Sequence, residues 1–325
     1  MRKRELKNIE WSILIFAILL SIIGLVALFS ATQSTNHDEF NKQCIWLGVS
    51  LVIMIVVMFI DYQTLVKMSP IFYGLFIILL IGVLFTPEIN GARSWFDIGF
   101  FSFQPGEFAK VFVILFLAYV ISTIQRNGRD EINRIPKLAI ILLIIAVPVL
   151  LIIIEPDYGT ATAYIVAFLV MIFVAGIDKK YIISAFALVI IAVPLIYNFI
   201  LPQHAKSRID TFLHPESDPK GAGYNILQSK LAIGAGEVTG MGVLNGNQTQ
   251  LGYLYPKTTD FIFSVIGEEM GFVVACSVIL LNVVIITKSI QVAKGIKDDA
   301  GSYVAAGIAG IFLFHTLENI GMTMG

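Results

Sequence analysis

Long apolar runs alternate with short polar segments along almost the whole of this chain. A bilayer core of roughly 30 Å takes about 20 apolar residues wound as a helix. Nine stretches qualify, near 11–31, 45–60, 70–86, 107–124, 138–154, 159–176, 182–200, 261–287 and 302–321. The pattern predicts an all-α polytopic membrane protein of nine transmembrane helices, forming a single transmembrane domain over 1–325. The first stretch is too long for a cleaved signal peptide, and no small-residue cleavage site clearly ends it before the second. Residues 201–260 read as a long loop ahead of the eighth span.

Composition agrees with that pattern. Hydrophobic residues make up 57% of the chain and charged residues 14%, with a mean hydropathy of +0.84. A soluble domain carries about 25% charged residues, so here the solvent must be lipid. The net charge of −1 says nothing about a partner, and no nucleic acid is expected. Cys44 and Cys276 lie at or inside apolar runs and give neither a disulfide framework nor a metal spacing.

Sidedness follows from Lys and Arg near the helix ends. With the N-terminus inside, the inner segments hold Arg2, Lys3, Arg4, Lys7, Lys67, Arg126, Arg129, Arg134, Lys137, Lys179, Lys180, Lys288, Lys294 and Lys297. The short outer loops hold only Lys42 and Arg93, and a long loop such as 201–260 counts little in this rule. Two outer segments, 87–106 and 201–260, are then the places where function is expected, because long ordered loops are usually functional.

Ionisable groups inside a membrane cost about 2.5–3.5 kcal/mol on insertion scales and default to functional hypotheses. Here they crowd the outer side. The first cluster runs from Asn90-Gly91-Ala92-Arg93-Ser94-Trp95-Phe96 to Phe103-Gln104-Pro105-Gly106-Glu107-Phe108-Ala109-Lys110. Pro105 marks a helix start. Glu107 and Lys110 then share one face at i and i+3, where each lowers the cost of burying the other. Two readings are open. One is an aromatic belt (Phe96, Phe100, Phe101, Phe103) with a structural ion pair. The other is an anion site in which Arg93 and Lys110 face a phosphorylated ligand while Glu107 orients the lysine.

The second cluster is Glu155-Pro156-Asp157-Tyr158-Gly159-Thr160. Its carboxylates could hold a cation or accept sugar hydroxyls, and Asp157 also suits the N-cap of the sixth helix. In the long segment, 203–220 reads as a solvated, turn-rich loop. His204 and His214 match no metal-ligand spacing. Tyr224–Ile233 reads as a short amphipathic helix whose Tyr224, Leu227 and Leu231 could lie on the bilayer surface. Gly234, Gly236, Gly240, Gly242 and Gly246 would let backbone approach a bulky ligand. Asp260 could cap the eighth helix, or serve as a base whose pKa partial desolvation raises. At least one of Glu268 and Glu269, two turns further in, should face the protein interior.

Taken together, these clusters resemble the SEDS family of cell-wall synthases, the group containing RodA, FtsW and SpoVE. Gly91-Ala92-Arg93-Ser94-Trp95, Phe103 to Lys110 and Glu155 to Thr160 carry the resemblance. So do Gly223-Tyr224-Asn225, Gln228-Ser229, Ala232-Ile233-Gly234, Gln248-Thr249-Gln250, Thr259-Asp260-Phe261-Ile262-Phe263 and Gly267-Glu268-Glu269. Gly221–Asn225 and Gln248–Gln250 look more like RodA than FtsW. The resemblance implies a peptidoglycan glycosyltransferase that polymerises lipid II into a growing glycan strand outside the bacterial cytoplasmic membrane, beside a class B penicillin-binding protein. It implies a catalytic role for Asp260, and charged cavity residues at Arg93, Glu107 and Lys110. It puts Asp157 in an outer acidic motif, and it implies ten spans where this chain shows nine. Departures from the family pattern are Lys257-Thr258-Thr259, where relatives carry a histidine, and Gly106, where serine is usual. A divalent cation held by carboxylates remains an open cofactor. A flippase for the lipid-linked precursor and a non-enzymatic scaffold are the rival functions.

Overall fold

The computed structural model describes residues 10–325 except 90, 98, 100, 101, 200–202, 219 and 220. Arg2, Lys3, Arg4, Lys7, Phe100 and Phe101, all used above, lie outside the described residues. The elements in chain order are α1 (Trp11–Ala31), α2 (Asp38–Met58), α3 (Tyr62–Val83), β1 (Phe96–Asp97), β2 (Ser102–Phe103), α4 (Pro105–Gln125), α5 (Ile135–Ile154), α6 (Tyr158–Val174), α7 (Lys179–Phe199), α8 (Gln203–Leu213), α9 (Ala222–Ala235), α10 (Asn247–Gln250), α11 (Ile262–Gly295) and α12 (Asp299–Met324). Eight helices among the described residues are long and apolar enough to cross a membrane, and α6 is apolar but 17 residues long. The chain is a multi-pass, all-helical membrane protein apart from the β1–β2 hairpin, which pairs Phe96 with Phe103.

Local chemistry explains the helix starts. Asp61 accepts from Gln63 N at 3.2 Å and begins α3 ahead of its apolar stretch. Pro105 occupies the first turn of α4, where its missing N–H costs nothing. Asp157 accepts from Thr160 N at 3.1 Å and begins α6, as expected. Residues 203–220 depart from the expected loop. Gln203–Leu213 is helical, with apolar Ile209 and Leu213 one turn apart, and the turn chemistry begins only after it, at Pro215.

The chain divides into two compact units. One comprises Met58–Ile183 with Ile286–His315, and the other Met1–Val57, Ser184–Ile285 and Thr316–Gly325. In the first, α3, α4, α5 and α6 bury Leu80, Leu117, Ile121, Ile141, Ile152 and Met171 almost completely. The first half of α12 joins them through small residues. A Cβ at Gly310 would sit 2.7 Å from Ala167 Cα, so the α6 and α12 backbones nearly touch there. In the second unit, Ala27 and Ala31 of α1 pack with Leu254, Phe261, Val265 and Ile266.

The second unit also contains a broken helix. Gly271 interrupts α11 at φ 79° and ψ −179°, in the left-handed region open to glycine. The break exposes backbone groups that lipid cannot bond. The segment before α10 folds back and bonds them. Phe272 N donates to Glu237 O at 2.9 Å, and Val273 N to Val238 O at 3.3 Å. Met241 N donates to Glu268 O and Gly242 N to Glu269 O, both at 2.9 Å. The glycine-rich stretch therefore does allow a close approach, but to α11: Cβ atoms at Gly236 and Gly240 would sit 1.9 Å from Gly267 O and 2.3 Å from Glu269 O.

Gly271→Ala should destabilise the protein by at least about 2 kcal/mol, because it combines a positive φ with a Cβ 2.2 Å from Gly240 N. Gly74→Ala, where a Cβ meets nothing within 4 Å, is the control. Thermal unfolding in detergent should separate the two. Equal midpoints would rule out the account of the break.

Candidate active site

In the first unit, the start of α4 meets the start of α6. Lys110 Nζ donates to Glu107 Oε1 at 2.8 Å, which forms the expected i, i+3 pair. The lysine is buried while Glu107 is half-exposed. A lone ammonium would be expensive here. It is compensated twice, because Nζ also lies 3.0 Å from His315 Nε2 on α12. An ammonium has only protons to give, so Nε2 is the acceptor. Thr160 Oγ1 reaches Glu107 Oε1 at 3.4 Å, and Gln104 Nε2 donates to Asp157 Oδ2 at 2.6 Å. Asp157 is thus held on both oxygens, by Gln104 and by the α6 cap.

Arg93 is exposed, and its guanidinium makes no hydrogen bond or ion pair among the described residues. It lines a cavity of about 210 Å³ with Glu88, Ile154 and Pro156. No hydrogen bond or ion pair joins it to Glu107 or Lys110. Its backbone N–H donates to Glu155 O at 3.4 Å, which ties the Arg93 segment to the α5–α6 turn. Below this contact, Glu155 is 1% exposed, and neither its carboxyl oxygens nor Ser94 Oγ has a hydrogen-bond partner among the described residues. Burial, reinforced by the Asp157 charge and opposed by the Ser94 hydroxyl, pushes the Glu155 carboxyl up to about 7.

Asp260 belongs to the second unit. Its side chain is exposed and makes no hydrogen bond among the described residues, so the capping reading does not hold. The turn before α11 closes through backbone alone, with Phe261 N donating to Pro256 O at 3.2 Å and Ile262 N to Thr259 O at 3.4 Å. Upstream, two buried carboxylates grip the chain. Glu268 accepts from Gln248 N at 2.6 Å, Thr249 N at 3.0 Å and Thr249 Oγ1 at 2.7 Å. Glu269 accepts from Ser30 Oγ at 2.7 Å, Gln250 Nε2 at 2.9 Å, Leu244 N at 3.2 Å and Gly246 N at 3.4 Å. Both glutamates face inward, more than the sequence required. Lys257 Nζ then donates to Thr249 O at 2.8 Å and links the gripped segment to the Asp260 turn. Burial pulls the Lys257 ammonium below its ordinary range, against the attraction of Glu269.

Sequence reasoning passed over His315, Ser30 and the missing partners of Glu155, and it quoted Gln104 in the first cluster without giving it a part. His315 carried a usable signal, being an ionisable group inside the ninth apolar run. Nothing local marks Ser30, or the pairing of Gln104 with Asp157, since the partners lie 239 and 53 residues away. Among the described residues, no three His, Cys, Asp or Glu side chains group as a metal site.

These features define a polytopic membrane protein with compensated charge buried between its helices and an unpaired aspartate ahead of a broken helix. The profile described as cell cycle protein, for FtsW, RodA and SpoVE, matches residues 10–325, and the chain belongs to that family. It is 30% identical to the peptidoglycan glycosyltransferase RodA of Treponema pallidum, over 100% of this chain and 92% of the relative. It is 32% identical to the peptidoglycan glycosyltransferase MrdB of Escherichia coli K12, over 98% of this chain and 85% of the relative. A solved peptidoglycan synthase complex, described for its structural coordination of polymerization and crosslinking, matches with a TM-score of 0.83 at 26% identity. That match covers 98% of this chain and 88% of the other.

The Glu155 environment has a stability signature. Its proton is held more tightly in the folded chain than in the unfolded one, so stability falls as pH rises from the ordinary 4.5 to about 7. Glu155→Gln keeps the shape and removes the charge. It should flatten that slope and raise the unfolding midpoint above neutral pH. An unchanged slope in Tm against pH would show that Glu155 does not titrate there.

Proposed function

We propose that this chain is a peptidoglycan glycosyltransferase that polymerises lipid II into glycan strands at the outer face of the bacterial cytoplasmic membrane. One observation carries most weight. Asp260 offers an exposed, unpaired carboxylate on a turn whose approach is held by the buried Glu268 and Glu269. Two relatives bear this activity in their names. The whole chain is read as one transmembrane domain of nine spans with its N-terminus inside. Segments 87–106 and 201–260 are then extracytoplasmic.

In the proposed reaction, a sugar hydroxyl of the acceptor attacks the anomeric carbon of the lipid-linked donor. The new C–O bond forms as the bond to pyrophosphate breaks, the configuration inverts, and pyrophosphate leaves with the bonding electrons. The hydroxyl proton passes to Asp260. General-base help of this kind is worth about 10²–10⁴-fold. Arg93, with its unpaired guanidinium, and Lys110, fixed by Glu107, are the cations assigned to the leaving pyrophosphate. Asp157 is assigned to substrate binding. Its oxygens are engaged by Gln104 and Thr160, so its part is to hold the wall that substrate meets. A divalent ion joining substrate oxygens would supply the same positive charge. Crosslinking falls to a class B penicillin-binding protein, a partnership supported by the likeness to a complex that couples the two activities.

Asp260→Ala should lower polymerisation of labelled lipid II by at least about a hundredfold, with the same yield of folded protein. Long glycan strands made by wild type and lost in the variant are the expected result. Full activity in the variant would remove Asp260 as the base. No polymer from wild type beside its partner would favour the flippase or scaffold.

A further inference from the structure

The end of the first unit away from Arg93 holds a second polar cavity that the glycosyltransferase chemistry does not use. It has a volume of about 390 Å³ and lies where α3 begins, α4 ends and α12 begins. Lys67 comes from α3, Arg126 from the α4 C-cap and Lys297 from the turn before α12. All three are exposed, and none makes a hydrogen bond or ion pair among the described residues. Lysines and arginines at such positions are expected as topology anchors. Anchors need only sit at their own helix ends, however. Here three unneutralised cations from three elements line one cavity.

Two further features favour an anion. The N-termini of α3 and α12 both open on this cavity, and each brings the positive end of a helix dipole. The two first turns are packed together, since a Cβ at Gly301 would sit 3.2 Å from the Tyr62 ring. Asp298 and Asp299 also line the cavity and work against an anion. Asp298 Oδ2 accepts from Gly301 N at 2.9 Å and from Tyr62 Oη at 3.1 Å, which occupies that oxygen but leaves the charge in place. Three cations against two aspartates leave the lining with a formal excess of one positive charge.

We propose that this cavity binds a phosphate group, presented by an anionic lipid headgroup. The helices that form it are of membrane-spanning length, so its mouth lies at the level of headgroups, where basic pockets between helices hold lipid phosphates. Soluble phosphate would satisfy the same cations, and the experiment separates the two sources.

The full chain, purified in a phosphate-free maltoside detergent, would be titrated with phosphatidylglycerol and separately with inorganic phosphate, and binding read by native mass spectrometry and Tm. Saturable phosphatidylglycerol binding is expected. The triple variant Lys67→Gln/Arg126→Gln/Lys297→Gln should bind about a hundredfold more weakly. The charge-matched control Lys137→Gln/Lys179→Gln/Lys180→Gln should bind like wild type, and Asp299→Asn should bind more tightly. Equal loss in both triple variants would overturn the site in favour of general surface charge. Weaker binding by Asp299→Asn would mark a cation site and overturn it as well. Saturation by inorganic phosphate at the same concentrations would overturn the lipid source. A triple variant that melts without lipid at the wild-type Tm excludes misfolding as the cause of its loss.

Discussion

A backbone N–H or C=O in lipid has no water to bond, so a helix that breaks there must find partners inside the protein. The second unit is arranged around one such break, at Gly271. The returning segment 237–242 supplies the partners, and the glycines at 236 and 240 are needed because any side chain would occupy the space of α11's own carbonyls. The same return leaves N–H groups of 244–249 facing inward, and Glu268 and Glu269 accept them. Burying two carboxylates is costly, but each charge-assisted hydrogen bond recovers about 1.5–3 kcal/mol, and the pair accepts seven between them. The rigidity that this gives the approach to Asp260 follows from the constraint at Gly271.

Five carboxylates with one intrinsic chemistry end up in different states because their surroundings differ. Glu268 and Glu269 are saturated with donors and serve as struts. Asp157 is divided between a helix cap and Gln104. Glu155 is buried without a partner, which favours its neutral form. Asp260 is exposed and unpaired, so it alone of the five combines access with an uncommitted lone pair. A base needs both properties, and a strut needs neither.

The apolar periodicity was enough to mark a multi-pass helical membrane protein, because a bilayer imposes a length that the sequence must meet. It was poorer at the helix ends: α2 and α3 begin seven or eight residues before their apolar stretches, at Asp38 and Tyr62. Helix termini are set by caps such as Asp61, whereas hydropathy marks only the part facing lipid. The Glu107–Lys110 pair and the Asp157 cap could be read because both are local, at i+3. His315 on Lys110 and Ser30 on Glu269 could not, since contacts across 205 and 239 residues leave no periodic trace. The helix Gln203–Leu213 was missed because its polar composition hid a single apolar turn. The glycines around 236–246 were read as room for a ligand, when the room is taken by the protein's own helix.

Lys110 shows why the residue type matters as well as the charge. An ammonium carries three protons on a flexible stem, and two of them are directed here, one to Glu107 and one to His315. The third has no partner among the described residues. Two fixed bonds set the position of the nitrogen, and the remaining proton can then serve a ligand oxygen without the side chain being ordered again on binding. An arginine would present a planar fork of five donors, and the single Glu107 oxygen and His315 nitrogen would leave most of that fork unpaired in a buried place. Glu107, the carboxylate of the pair, is half-exposed, whereas the lysine is buried. The opposite charges offset each other within the pair, which lowers the cost of burying the cation.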